Sequence, residues 1–85
     1  MQTRVATIGI IVESGEGVEQ LNLVLHEYGQ YIIGRMGIPY RKRGINIISI
    51  AIEAPQDTIN TLTGKLGKIS GVTAKAAYSN RIYEE

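Results

Sequence analysis

Cysteine, tryptophan and phenylalanine are absent from this chain of 85 residues. Without cysteine there is no disulfide framework, no thiolate metal ligand and no thiol nucleophile. The lack fits a reducing compartment, and a cytoplasmic location is expected. Histidine occurs once, at His26, where a metal centre needs three or four ligands. Only symmetry in an oligomer would gather enough copies, so no metal and no cofactor are expected. The formal net charge is +1, too small for the field of the whole protein to hold nucleic acid or a membrane surface. No apolar run approaches the ~18 residues that span a bilayer. The start, M-Q-T-R, lacks the architecture of a signal peptide.

What is present is the composition of one small globular domain, with 44% hydrophobic and 20% charged residues. A domain this small buries only ~60–65% of its unfolded surface, and assembly with copies of itself is one remedy. Arg4 to Glu13 is apolar and β-branched, a strand pattern. Ser14-Gly15-Glu16-Gly17 breaks it. Val18, Leu21, Leu25 and Tyr28 then recur at helical spacing, and Gly29 terminates the helix. Residues 31–40 and 45–54 read as strands two and three. Pro55 opens a second helix, where its missing N–H is not needed, with Ile59, Leu62, Leu66 and Ile69 as its apolar stripe. Gly71 ends that helix. Val72 to Tyr78 is the last strand, and Ser79 to Glu85 is expected to fray. Strand–helix–strand occurs twice with a hairpin between. This predicts an α+β, ferredoxin-like βαββαβ sandwich: a four-stranded antiparallel sheet with two helices on one face.

A three-residue hairpin loop, Lys42-Arg43-Gly44, would put Gly44 in the left-handed position such loops prefer. It would set Ile38, Met36 and Gly34 opposite Ile48, Ile50 and Ile52, facing the helices. Arg35, Gly37 and Pro39 would then lie on the open face, and a slip of one residue would push Arg35 toward the core. The open face would carry Thr7, Gly9, Ile11, Ile47, Ser49 and Ala51. Small and apolar residues on an uncovered face mark an interface, so Gly9, Ile11, Ile47, Ser49 and Ala51 are expected to join copies into a dimer or tetramer.

Catalytic residues are not expected. Ser14 could be a nucleophile only with a nearby base, no motif around it supports that, and a loop serine before a helix suits a cap. The Ser14–Gly17 loop resembles a phosphate cradle only superficially, because it lacks a lysine and Glu16 would repel an anion. Arg41, Lys42 and Arg43 are consecutive cations at the hairpin tip. Three charges give a weak, salt-sensitive grip on nucleic acid, and the middle strands lack the aromatic platforms on which this fold stacks RNA bases. A copper chaperone or ferredoxin would need cysteines, and an acylphosphatase an arginine where Glu16 stands.

The segments L-H-E-Y-G-Q-Y-I-I-G-R-M-G-I-P-Y from Leu25, I-N-I-I-S-I from Ile45 and T-G-K-L-G-K-I-S-G-V from Thr63 resemble a known family. It comprises small proposed regulators of the iron-only hydrogenase system, and the likeness runs from about Val5 to Ala77. The resemblance implies an ACT-like domain related to the C-terminal domain of nickel-responsive repressors, which assemble through sheets and helices. Those repressors bind nickel through several histidines and a cysteine and read DNA with a ribbon-helix-helix segment. These residues carry neither set, so nickel sensing and direct DNA contact are not expected. ACT-like domains bind small effectors at subunit interfaces, near the loop after the first strand. Carried onto this chain, that implies Ser14, Gly15 and Gly17, with Gly34, Arg35 and Gly37 contributed by a neighbouring subunit. The expected function is a non-enzymatic regulatory and oligomerisation domain, acting through a protein partner or a small effector. The alternatives are a small enzyme on this scaffold, or a DNA binder using the basic hairpin.

Overall fold

In a computed structural model describing residues 1–85, strands β1 (Gln2–Val12), β2 (Ile32–Tyr40), β3 (Ile45–Ala54) and β4 (Val72–Glu84) alternate with helices α1 (Gly15–Glu27) and α2 (Gln56–Gly67) in the order βαββαβ. A single 3₁₀ turn, Gly29–Tyr31, links α1 to β2. The sheet is antiparallel with order β2-β3-β1-β4, the arrangement expected. No helix is long and apolar enough to cross a membrane.

The core follows from the two periodicities. Ala6, Ile8, Ile10 and Val12 of β1 and Ile48, Ile50, Ile52 and Ala54 of β3 are buried at every second position, as strands covered on one face require. Leu21 and Leu25 of α1, with Ile59, Leu62 and Leu66 of α2, close over them, spaced three and four apart. Ser14 caps α1: its Oγ accepts from the Gly17 amide at 3.4 Å, and Glu16 in the first turn suits the positive end of the helix dipole. Pro55 stands one residue before α2 rather than inside it. Thr61 and Thr63 satisfy their hydroxyls by donating to the carbonyls of Asp57 and Ile59 four residues back.

Two expectations are corrected. Ser79 to Glu85 does not fray: β4 continues to Glu84, and Glu84, Tyr83 and Ile82 pair with Gln2, Thr3 and Arg4. A register shift between Arg4 and Ala6 breaks the alternation that would have marked this stretch as strand. Arg4 fastens the irregular stretch, donating to the Ser79 carbonyl at 2.7 Å and to Gln56 Oε1 at 2.9 Å, with its guanidinium 4.9 Å over the Tyr78 ring.

The β2–β3 register is also one residue away from the expected one. Tyr40 pairs with Ile45, so the loop is four residues, Arg41–Gly44. Two successive turns close it, Arg43 N–H to the Tyr40 carbonyl and Gly44 N–H to that of Arg41. Gly44 does adopt the left-handed conformation (φ 67°). Ile38 therefore faces Ile47, Met36 faces Ser49 and Gly34 faces Ala51, whereas Arg35 and Gly37 lie across from Ile50 and Ile48 on the helix side. Arg35 is not buried by this. β2 is the outermost strand and is exposed along nearly its whole length, so a guanidinium on its helix side stays in water. A second register shift between Ile32 and Gly34 returns Ile32 to the core side, opposite Ile52.

Candidate functional site: the open sheet face and the first strand–helix turn

The residues expected to form an interface share one uncovered surface. Cross-strand partners on an antiparallel sheet lie on the same face. Ile11 pairs with Ile47 and Ile47 with Ile38; Gly9 pairs with Ser49 and Ser49 with Met36; Thr7 pairs with Ala51 and Ala51 with Gly34. Gly9, Ile11, Ile47, Ser49 and Ala51 thus lie together, and the corrected register adds Gly34, Met36 and Ile38. Ile11, Ile47, Ile38 and Met36 are 40%, 42%, 52% and 61% exposed. Four large apolar side chains in adjoining rows make a continuous patch, distinct from the scattered apolar residues of an ordinary surface. The patch ends toward the far end of β1, where Thr3 Oγ1 donates to Glu53 Oε2 at 2.7 Å.

The turn after β1 is built from residues with clear packing duties. A Cβ on Gly17 would meet the Ser70 carbonyl oxygen and the Val72 and Val12 side chains at 3.2–3.3 Å, so this glycine lets α1 press against the start of β4. Ser14 Oγ lies 3.4 Å from the Ser70 carbonyl. Gly71, with φ 78°, brings its Cα so close that a Cβ would stand 2.8 Å from Ser14 Oγ. Gly15 faces open space at the first turn of α1, where backbone N–H groups lack helical partners.

Within one chain the six candidate ligand residues do not meet. Arg35 Nη2 donates to Asn22 Oδ1 at 2.7 Å, and Asn22 lies seven residues along α1 from Gly15, about 10 Å at 1.5 Å per residue. Gly34 lies on the open face and Gly37 on the helix side. Nothing in the chain comes within 4 Å of a Cβ built on Gly34, so that glycine is not required by its own subunit. His26 is exposed in the last turn of α1, and no three His, Cys, Asp or Glu side chains converge as a metal site would need.

A second surface, not anticipated from the residues, is a cleft of about 390 Å³ between the end of α1 and the start of α2, lined in part by Glu27, Tyr28, Tyr31 and Asp57. The Lys65 ammonium lies 5.2 Å over the ring of Tyr28 and 3.8 Å from Oε2 of Glu27, two of the lining residues. Tyr28 first, then Glu27, holds the Lys65 pKa above its ordinary 10.5. The signal for this cleft was the spacing of Glu27, Tyr28 and Tyr31 around Gly29, but only the fold brings Asp57 beside them.

Known structures place this architecture among ACT-like domains. The ACT domain of the GTP pyrophosphokinase from Chlorobium tepidum superposes with a TM-score of 0.75 at 26% identity, over 88% of this chain and 99% of that one. The C-terminal domain of the MgtC protein from Mycobacterium tuberculosis gives 0.72 over 96% and 94%; at 9% identity it shows the fold alone. The uncharacterized protein TM1266 from Thermotoga maritima matches with a TM-score of 0.86 and 35% identity, over 89% of this chain and 96% of that one. The TM1266-like family model, described as "Iron-only hydrogenase system regulator, putative", matches residues 4–76. The chain belongs to this family, as the segments from Leu25, Ile45 and Thr63 implied. No match was found among curated proteins.

Proposed function

We propose that this chain is a non-enzymatic regulatory domain of the iron-only hydrogenase system, working in the cytoplasm by assembling with copies of itself through the open sheet face. The observation that carries this reading is the continuous stripe of Ile11, Ile47, Ile38 and Met36 beside Gly9, Ser49 and Ala51. Each Å² of apolar surface covered there contributes on the order of 25 cal/mol. Glycine, serine and alanine between the large side chains let a second sheet approach. The only side-chain hydroxyl at the first turn, Ser14 Oγ, is engaged with the Gly17 amide and the Ser70 carbonyl, which supports a capping rather than a catalytic role.

A small effector taken up at the subunit boundary would complete the regulatory reading. The first turn of α1 at Gly15 presents free N–H groups, and Gly34, Arg35 and Gly37 of a neighbour would approach it, with the planar fork of Arg35 suited to a carboxylate. Sedimentation equilibrium tests the assembly: the wild-type chain sediments as a dimer or larger, and Ser49→Arg, which would bury an unpaired charge, sediments as a smaller species. Titration with amino acids and small carboxylates tests the effector, with movement of the Gly15, Gly17 and Arg35 amides in NMR spectra as the expected result. A wild-type monomer at tens of micromolar would refute the assembly, and amides unmoved by every compound would remove the effector.

A further inference from the structure

Met36 carries the one sulfur atom on the open face. The chain has two methionines and neither cysteine nor tryptophan, so its two thioethers are where a mild oxidant reacts. The other is Met1, eight residues before Gly9, about 27 Å away along an extended strand. Met36 and Met1 are both open to solvent in the single chain, at 61% and 76% exposure. One thioether thus lies on the face and one well outside it.

The surroundings of Met36 are uneven. Its ladder partner is Ser49, and the partner of Ser49 on β1 is Gly9. On one side lie Gly34 and Ala51, themselves a cross-strand pair, and a Cβ on Gly34 would meet nothing within 4 Å. The large neighbours Ile38 and Ile47 stand together on the other side. Met36 therefore projects from a shelf of small residues. A flexible thioether is suited to filling the gap that such a shelf leaves beneath a second sheet. A sulfoxide is not. Its oxygen is a strong acceptor that water satisfies in the free chain, and covering it without partners is costly. Ser49 offers a single hydroxyl there. Gly9, Gly34, Ala51, Ile38 and Ile47 offer no side-chain donor, and a second copy of the same face brings the same shortage.

We propose that Met36 is an oxidation site, and that a hydroperoxide converts it to the sulfoxide and so releases the face assembly. In this step the thioether sulfur attacks one peroxide oxygen. The O–O bond breaks, the S–O bond forms, and hydrogen peroxide leaves as water. Sulfur gives up two electrons and the peroxide is reduced by two. The inference rests on the open-face assembly proposed above and assigns its regulation. Covering and oxidation exclude each other: the assembled chain protects Met36, and the oxidised chain cannot be covered without burying the new oxygen.

The test treats the wild-type chain with hydrogen peroxide, reads each methionine by peptide mass spectrometry, and reads assembly by sedimentation equilibrium. Conversion of Met36 weakens assembly at least about tenfold, the scale on which an unsatisfied buried polar group acts. Methionine sulfoxide reductases restore it. Met36→Leu conserves volume, assembles like the wild type and ignores peroxide, although Met1 is still oxidised. Met36→Gln, polar without any oxidant, is weakened from the start. The rate of Met36 oxidation relative to Met1 falls as rising protein concentration drives assembly, a readout that needs no variant. An untreated wild type that is monomeric at tens of micromolar overturns the face reading and this inference together. An assembled wild type whose Met36 is converted with no loss of assembly overturns this inference alone. So does a relative oxidation rate that ignores assembly, or a Met36→Leu chain that peroxide dissociates as readily as the wild type.

Discussion

Replacing Gly71 by alanine should be far more damaging than the same change at Gly44, although both glycines have positive φ, 78° and 67°. At Gly44 a Cβ would meet nothing within 4 Å, so the cost is that of a left-handed alanine, roughly 1 kcal/mol. At Gly71 the same backbone cost applies, and the new Cβ would also stand 2.8 Å from Ser14 Oγ. Ser14 must rotate away, which removes the cap of α1 at about 1 kcal/mol. If the backbone shifts instead, the 2.7 Å hydrogen bond from Glu13 N–H to the Gly71 carbonyl is strained, at about another 1 kcal/mol. The total is roughly 2–3 kcal/mol, or on the order of 10–20 °C in Tm for a domain of this size. Gly44→Ala should cost about 5 °C by the same scale. Thermal unfolding followed by circular dichroism reads both. Ser14→Ala supplies the decisive control. With the cap already gone, adding Gly71→Ala should cost about 1 kcal/mol less than in the wild-type background, a coupling well above the usual error of additivity. Additive effects, or equal losses at Gly71 and Gly44, would refute the claim that Ser14 and Gly71 form one packed unit.

Other perturbations follow from the same structure. Ile50 is fully buried at the centre of the sheet, so Ile50→Ala should cost roughly 2–5 kcal/mol, measured by urea unfolding with an unchanged m-value. Burial holds the Tyr78 pKa above its ordinary 10.0, against the opposing pull of Arg4, and Lys65 is raised as well. Raised folded values mean that the unfolded chain loses these protons first. Their contribution is complete below about pH 10 and is lost as the pH rises through the folded values. Tyr78→Phe should therefore flatten the fall of Tm between about pH 9 and 11; an identical alkaline slope would show that Tyr78 does not titrate as described.

The fold was legible because its signals were strong and local. Period-two burial in residues 5–12 and 47–54 and the three–four spacing of Leu21, Leu25, Ile59, Leu62 and Leu66 admit few other readings, although α2 ends at Gly67 with Lys68 as its cap, and Gly71, expected to end it, lies in the turn that enters β4. The β2–β3 register was not legible, since a left-handed Gly44 suits loops of three and of four residues alike. The polarity of Arg35 also misleads on an edge strand, where both faces meet water. The end of β4 was hidden by the register shift beside Arg4, which breaks the alternation through Arg81 and Tyr83. At the site, the small-residue pattern of Gly9, Ser49 and Ala51 was readable because it departs from an ordinary solvated face. Met36 and Ile38 were assigned to the wrong side together with their register. The acidic cleft depends on α2 packing beside the end of α1, a long-range contact that no local pattern encodes.

The central claim is that the open face is covered by another copy of this chain. The most direct measurement is methyl NMR of isoleucine-labelled protein with a soluble paramagnetic probe. In the isolated chain Ile11, Ile38, Ile47 and Ile82 are all well exposed, and Ile8 and Ile50 are buried. Assembly through the open face predicts that Ile11, Ile38 and Ile47 relax as slowly as Ile8 and Ile50, while Ile82 remains strongly affected. If Ile11, Ile38 and Ile47 relax as fast as Ile82, the face is open to solvent and the assembly account is wrong.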